Sequence, residues 1–192
     1  MKGGGNNEAG TVTLLLREAR AGHRPAFEAL FRRIEHDVKR MAQGMLRARS
    51  RRDTTGTELM NMACLRLFGR GEPQAEDRTH LFFLLGRAMR DALVDEARRS
   101  GAAKRGGGRA RLPLGDPTGE VGIDPFDVLD LHQALAKLEA QDPDSARVVE
   151  LRFFARLTFE QIAAVMGCEL PKVRDHWVYA RAWLLKSLTP PE

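Results

Sequence analysis

Cysteine is nearly absent from this chain, long apolar runs are missing, and no stretch alternates strictly between apolar and polar residues. Each lack excludes something. Cys64 and Cys168 stand far apart, with no Cys or His at metal-ligand spacing, so neither a disulfide framework nor a zinc site is suggested. Both read instead as buried small apolar residues. No apolar run approaches the roughly 20 residues that cross a bilayer, and the opening MKGGGNNEAG lacks the apolar stretch of a signal peptide. A cytoplasmic protein with no membrane partner is expected. The lack of alternation argues against strands. His23, His36, His80, His132 and His176 are scattered over different segments, and the acids show no paired arrangement with a nucleophile. Neither an enzyme, a cofactor nor a metal site is expected.

What is present is helical patterning and positive charge. The 192 residues are 43% hydrophobic and 30% charged, a balance that folds into one or two domains rather than staying disordered. The formal charge is +5 and the pI about 9.7, which favours polyanionic partners. Distribution says more than the total. Residues 32–52 carry eight Arg and Lys against two acids, and residues 87–111 carry eight against three, so these two segments exceed the whole net charge. Such clusters can supply several phosphate contacts, each worth about 0.9 unit of salt slope on duplex DNA; the alternative for each is a solvated helix face.

Val12, Leu15, Leu16 and Ala19 fall on one face of a first helix. Phe27, Leu30, Phe31, Ile34, Val38, Met41 and Met45 do so on a second, with Gly22 between the two and Pro25 in the second helix's first turn. Thr55 and Glu58 have capping-box spacing, which starts a third helix through Leu59, Ala63 and Leu67 that stops at Gly69. After a loop over 69–78, a fourth helix begins near Thr79, turns Leu81, Leu85, Ala88 and Ala92 inward, and ends about Arg99. From Gly101 to Asp124 the chain changes to GAAKRGGG, two prolines and further glycines, the composition of a flexible linker. Its GGG run lacks Walker spacing and a preceding strand, which rules out a phosphate loop. Asp124 with Pro125, and Asp142 with Pro143, each mark a helix start. The first helix buries Phe126, Leu131, Leu135 and Leu138, and the second Ala146, Val149 and Phe153.

The most informative stretch is LTFEQIAAVMGCELPKVRDHWVYARAWLLKSL, Leu157 to Leu188. Thr158 and Gln161 form another capping box, and a short helix carries Ile162, Ala163 and Met166. Gly167 can take the left-handed conformation that ends it. Pro171 then opens a longer helix on which Val173, Trp177, Ala180 and Leu184 repeat at helical spacing, so Trp177 reads as core. This is helix-turn-helix grammar. The second helix of such a motif enters the major groove, which puts Lys172, Arg174, Asp175 and His176 on its presentable part and Arg181 further along. Lys172 and Arg174 are the best candidate DNA contacts, an Arg on guanine being worth roughly 1–3 kcal/mol of discrimination.

Four segments together resemble the extracytoplasmic-function (ECF) group of the sigma-70 family of bacterial RNA polymerase sigma factors: Thr11 to Gly22, Thr57 to Leu67, His80 to Gly108, with its MRDALVDEARRS and KRGGG runs, and Val148 to Leu184. The resemblance implies an all-α protein of two small helical domains, residues 10–100 and 125–188, joined by a linker over 101–124. Its implied partners are core RNA polymerase and promoter DNA, with an anti-sigma factor or another regulator as a further partner. By the same resemblance Leu59, Asn61, Leu65 and Arg66 sit on the polymerase-binding helix. Arg87, Arg90, Arg98, Arg99, Lys104 and Arg105 border the minus-ten strand, and the C-terminal domain reads the minus-thirty-five element. The chain departs from the pattern at His23 and Met62, which bears on helix capping and polymerase affinity, and in GCELPKVRDHW, which implies a different promoter preference or weaker duplex binding. A stand-alone helix-turn-helix regulator is the alternative from the residues alone. An interaction protein that has lost promoter recognition is a further one.

Overall fold

The computed structural model describes residues 4–46, 54–69, 75–103, 111–112 and 126–189. Among them the chain is almost wholly helical, in the order α1 (Gly4–Arg20), α2 (Arg24–Leu46), α3 (Gly56–Phe68), α4 (Arg78–Ala103), α5 (Val128–Gln141), α6 (Pro143–Val149), α7 (Phe159–Met166) and α8 (Leu170–Leu188). Between α6 and α7 the helix widens into a π turn over Glu150–Phe154. The all-α class follows from the periodicity.

Local chemistry sets most boundaries. Thr55 Oγ1 accepts from the Glu58 N–H at 3.2 Å while Glu58 Oε2 accepts from the Thr55 N–H at 2.6 Å, the reciprocal pair that starts α3. Asp142 caps α6 by accepting from the Ser145 N–H at 3.0 Å, with Pro143 in the first turn. Three expectations are corrected. First, α4 does not stop near Arg99 but runs to Ala103, since Gly101 alone costs only about 1 kcal/mol and two alanines follow it. Second, α5 begins at Val128 rather than Pro125. Phe126–Asp127 lies extended, with Leu112 opposite Phe126 and Arg111 opposite Asp127 in a two-residue antiparallel ladder, and backbone used that way is withheld from a helix. Third, that ladder gives extended structure to a segment from which none was expected. Asp124 and Pro125 lie outside the described residues, as does most of the expected linker.

Helices α1 to α4 pack as one half, with Leu16, Leu30, Ile34, Leu59, Leu81 and Leu85 all at most 1% exposed. Helices α5 to α8 form the other half around Leu131, Leu138, Val149, Val173 and Leu184. The two halves touch. Helix α4 packs on α5 and on the π turn, so that one apolar cluster runs through both. Cys64 is buried in this cluster, which pushes its thiol up to about 11 and leaves it protonated near neutrality. Cys168 is half-buried.

Candidate nucleic-acid interface

Helix α7 starts on a capping box in which Thr158 Oγ1 accepts from the Gln161 N–H at 3.2 Å and Gln161 Oε1 accepts from the Thr158 N–H at 2.8 Å. It ends at Gly167, whose φ of 62° is left-handed and would strain any side chain. Three residues later α8 begins, with Pro171 in its first turn. Val173, Trp177, Ala180 and Leu184 are buried along one stripe, Trp177 edge-on to Phe159 at 6.0 Å between ring centres. Trp183, half-buried, donates to Gln141 Oε1 at 3.0 Å. The stripe fixes what faces outward. Lys172, Arg174 and Asp175 are exposed, and Arg181 is half-buried. Glu160 in the first turn of α7 has its carboxyl held below the usual range, first by backbone and Thr158 hydrogen bonds and more weakly by the charge of Arg174.

His176 behaves differently from its neighbours. Its Nδ1 lies 2.8 Å from Ser145 Oγ and 3.9 Å from Asp142 Oδ2, so the ring ties α8 to the cap of α6. Burial alone raises the Asp142 carboxyl. Two hydrogen bonds from Ser145 outweigh it, with a contribution from His176, and hold the group below its ordinary value. Ser, His and Asp thus meet, but not as a catalytic triad. Ser145 is fully buried and its hydroxyl donates to Asp142, leaving neither an accessible nucleophile nor a base free to activate it.

In the other half, Leu59 is fully buried in the core of α3, whereas Asn61, Leu65 and Arg66 face outward, Leu65 being 72% exposed. Arg66 pairs with Asp95 of α4 at 2.5 Å, and that hydrogen bond is the main reason the Asp95 carboxyl sits below its usual range. Between α3 and α4 lies an open groove of about 810 Å³ lined by Leu65, Arg66, Leu84, Arg87, Asp91 and Asp95. Arg98 and Arg99 are exposed and Arg87 is half-buried. Arg90 is only 5% exposed, with its Nη1 2.6 Å from Glu150 Oε1. Lys104 and Arg105 lie outside the described residues.

The family described as ECF sigma factor matches residues 9–189. The chain belongs to that family. It is a sigma factor, one that directs RNA polymerase in the initiation of transcription, with core polymerase and promoter DNA as partners. Among curated proteins none matches this sigma factor. Among its described residues no helix is long and apolar enough to cross a membrane, and no group of three or more His, Cys, Asp or Glu residues could hold a metal ion.

Several side chains of the sigma factor that matter to this surface escaped sequence reasoning. Glu150 and Arg147 reach α4 from the other half, Glu150 beside Arg87 and Arg90, and Arg147 over the α4 ring of Phe83 at 5.9 Å, a ring that Arg87 also covers at 5.7 Å. Periodicity marks Glu150 only as a polar residue in a run of apolar ones. That anomaly, VVELRFF, was the one available signal.

Proposed function

We propose that this sigma factor divides its work between its two helical halves. Residues 10–100 engage core polymerase and the separated minus-ten strand, and residues 125–188 read the minus-thirty-five duplex as a helix-turn-helix, the two being tethered by residues 101–124. The observation that carries this is the α7–α8 pair: a capped short helix, a left-handed glycine turn, and a second helix whose first exposed turns hold Lys172, Arg174 and Asp175. Asp175 beside two cations narrows the choice of bases, since a carboxylate repels phosphate and accepts from cytosine N4. His176 and Arg181 act as supports of the recognition helix, because the first is bonded to Ser145 and the second is partly covered.

In the polymerase-binding half Asn61, Leu65 and Arg66 form the contact surface, with Leu59 shaping α3 from beneath. Arg87, Arg90, Arg98 and Arg99, continued by Lys104 and Arg105, track the single strand through charge. The factor works in the cytoplasm and contributes binding energy without catalysing a reaction. An anti-sigma factor or other regulator restrains it. Run-off transcription with core polymerase tests the reading. Initiation at a cognate promoter should require the factor, fall on Arg174→Ala with polymerase binding retained, and fall on Leu65→Ala through loss of polymerase binding. Transcription indifferent to both substitutions would overturn it.

A further inference from the structure

We propose that Glu150 and Phe154 form an intramolecular latch that closes the two halves on each other and withholds Arg90 and Arg87 from nucleic acid. The proposal rests on the reading above that these arginines belong to a nucleic-acid face. Its central contact is the Arg90–Glu150 pair, 2.6 Å between Nη1 and Oε1 with both side chains less than a tenth exposed. Arg87 Nε stands 3.8 Å from the same carboxylate oxygen. One carboxylate of the C-terminal half thus occupies the position between two guanidinium groups that a phosphate oxygen would otherwise fill. Beside it the Phe154 side chain is seated on Gly86 of α4, so close that a Cβ on Gly86 would fall 2.9 Å from Phe154 Cβ and 3.1 Å from its carbonyl carbon. The Arg90 guanidinium also lies over the Phe154 ring at 5.3 Å.

The segment presenting this pair is the π turn, an uncommon widening that concentrates at functional sites. All five of its residues are buried, Glu150 and Arg152 included. The contact is built to be reversible. Arg90 Nε makes no hydrogen bond, and its neighbour Asp91 is 3.8 Å away. Desolvating two ions consumes most of what their attraction returns, so a closed state held by such a pair stays within reach of an open one. Clefts of about 300 and 510 Å³ lie along the boundary, the first lined by Asp37 of α2 together with Arg156 and the second by His80 and Arg87 of α4 together with Arg147 and Glu150. Arg156, held at a φ of 60°, lays its guanidinium against Gly44 of α2 and adds a third contact across the boundary.

A wedge at Gly86 separates closure from folding. Leucine is a better helix former than glycine, so Gly86→Leu favours α4 itself while its side chain collides with Phe154. Small-angle scattering of the full chain should give a compact wild type with a radius of gyration of about 16 Å, and a variant extended toward about 20 Å. A mixed-sequence single-stranded DNA oligonucleotide should bind the variant about threefold tighter or more, with a salt slope steeper by about 0.7 for each arginine released. Glu150→Gln, which removes the carboxylate charge without changing its shape, should shift both readouts the same way and carries the comparison if Gly86→Leu loses its helical circular dichroism. An extended wild type would overturn the latch, as would folded variants whose size or single-strand affinity matches wild type. Transcription absent from every form, with both shifts intact, would strike the promoter-binding reading and leave the latch standing.

Discussion

Arg90 on α4 and Arg174 on α8 are the same residue type on the same kind of element, each expected to meet DNA, yet their surroundings are opposite. Arg174 is exposed, and its electrostatic neighbour is Glu160, itself on the surface. Arg90 is 5% exposed and charge-paired across the two halves. The difference is that α8 buries a stripe of Val173, Trp177, Ala180 and Leu184 against its own half and leaves its basic turn in water. Helix α4 is covered on more than one side, by α3 and α1 within its half and by α5 and the π turn from the other. A charge on a helix packed from several sides ends as a pair or as a penalty.

Removing Phe154 breaks the covered side of this comparison hardest. At 1% exposure it fills the seat on α4, so Phe154→Ala should cost about 3–5 kcal/mol. Urea unfolding followed by circular dichroism reads that loss. Arg90→Ala comes next, at about 1–2 kcal/mol: it leaves Glu150 with only Arg87, 3.8 Å away, and opening of the two halves, which returns the carboxylate to water, limits the loss. A loss under 1 kcal/mol in the same assay would mean that water reaches Glu150. On the open side, Thr158→Ala removes the acceptor that starts α7 and should cost about 1 kcal/mol, visible as a small fall in melting temperature. Arg174→Ala should leave stability within about 0.5 kcal/mol, the sharpest contrast with Arg90.

Acid gives the smallest effect and acts on the covered side. Burial, then the charge of Arg90, holds the His132 ring on α5 below its ordinary pKa of 6.5, so the native fold favours the neutral ring. This contribution is complete above about 6.5 and is lost as pH falls from there toward the lowered value. Melting temperatures measured from pH 7 to 5 should therefore fall less steeply in His132→Asn than in wild type.

Much of the fold was legible in the residues because its signals are local. Thr55 with Glu58, Thr158 with Gln161, Asp142 with Pro143, and Gly167 each act over three or four residues, and each sits where its spacing requires. The stripe that buries Trp177 and turns Lys172 and Arg174 outward is a matter of helical angle alone. His176 is where that geometry ran out. Angle puts it beside the exposed residues, but Ser145, 31 positions earlier, draws its ring inward. Likewise nothing near Phe126 announces Leu112 as its partner.

The sequence by itself determined the helices, most of their ends, the basic segments and the family, since caps, periodicity and composition depend on neighbours along the chain. Only the tertiary structure decided which charges remain available. Glu150 meets Arg90 across 60 positions, and whether a charge stays in water or is paired in the interior depends on what folds over it.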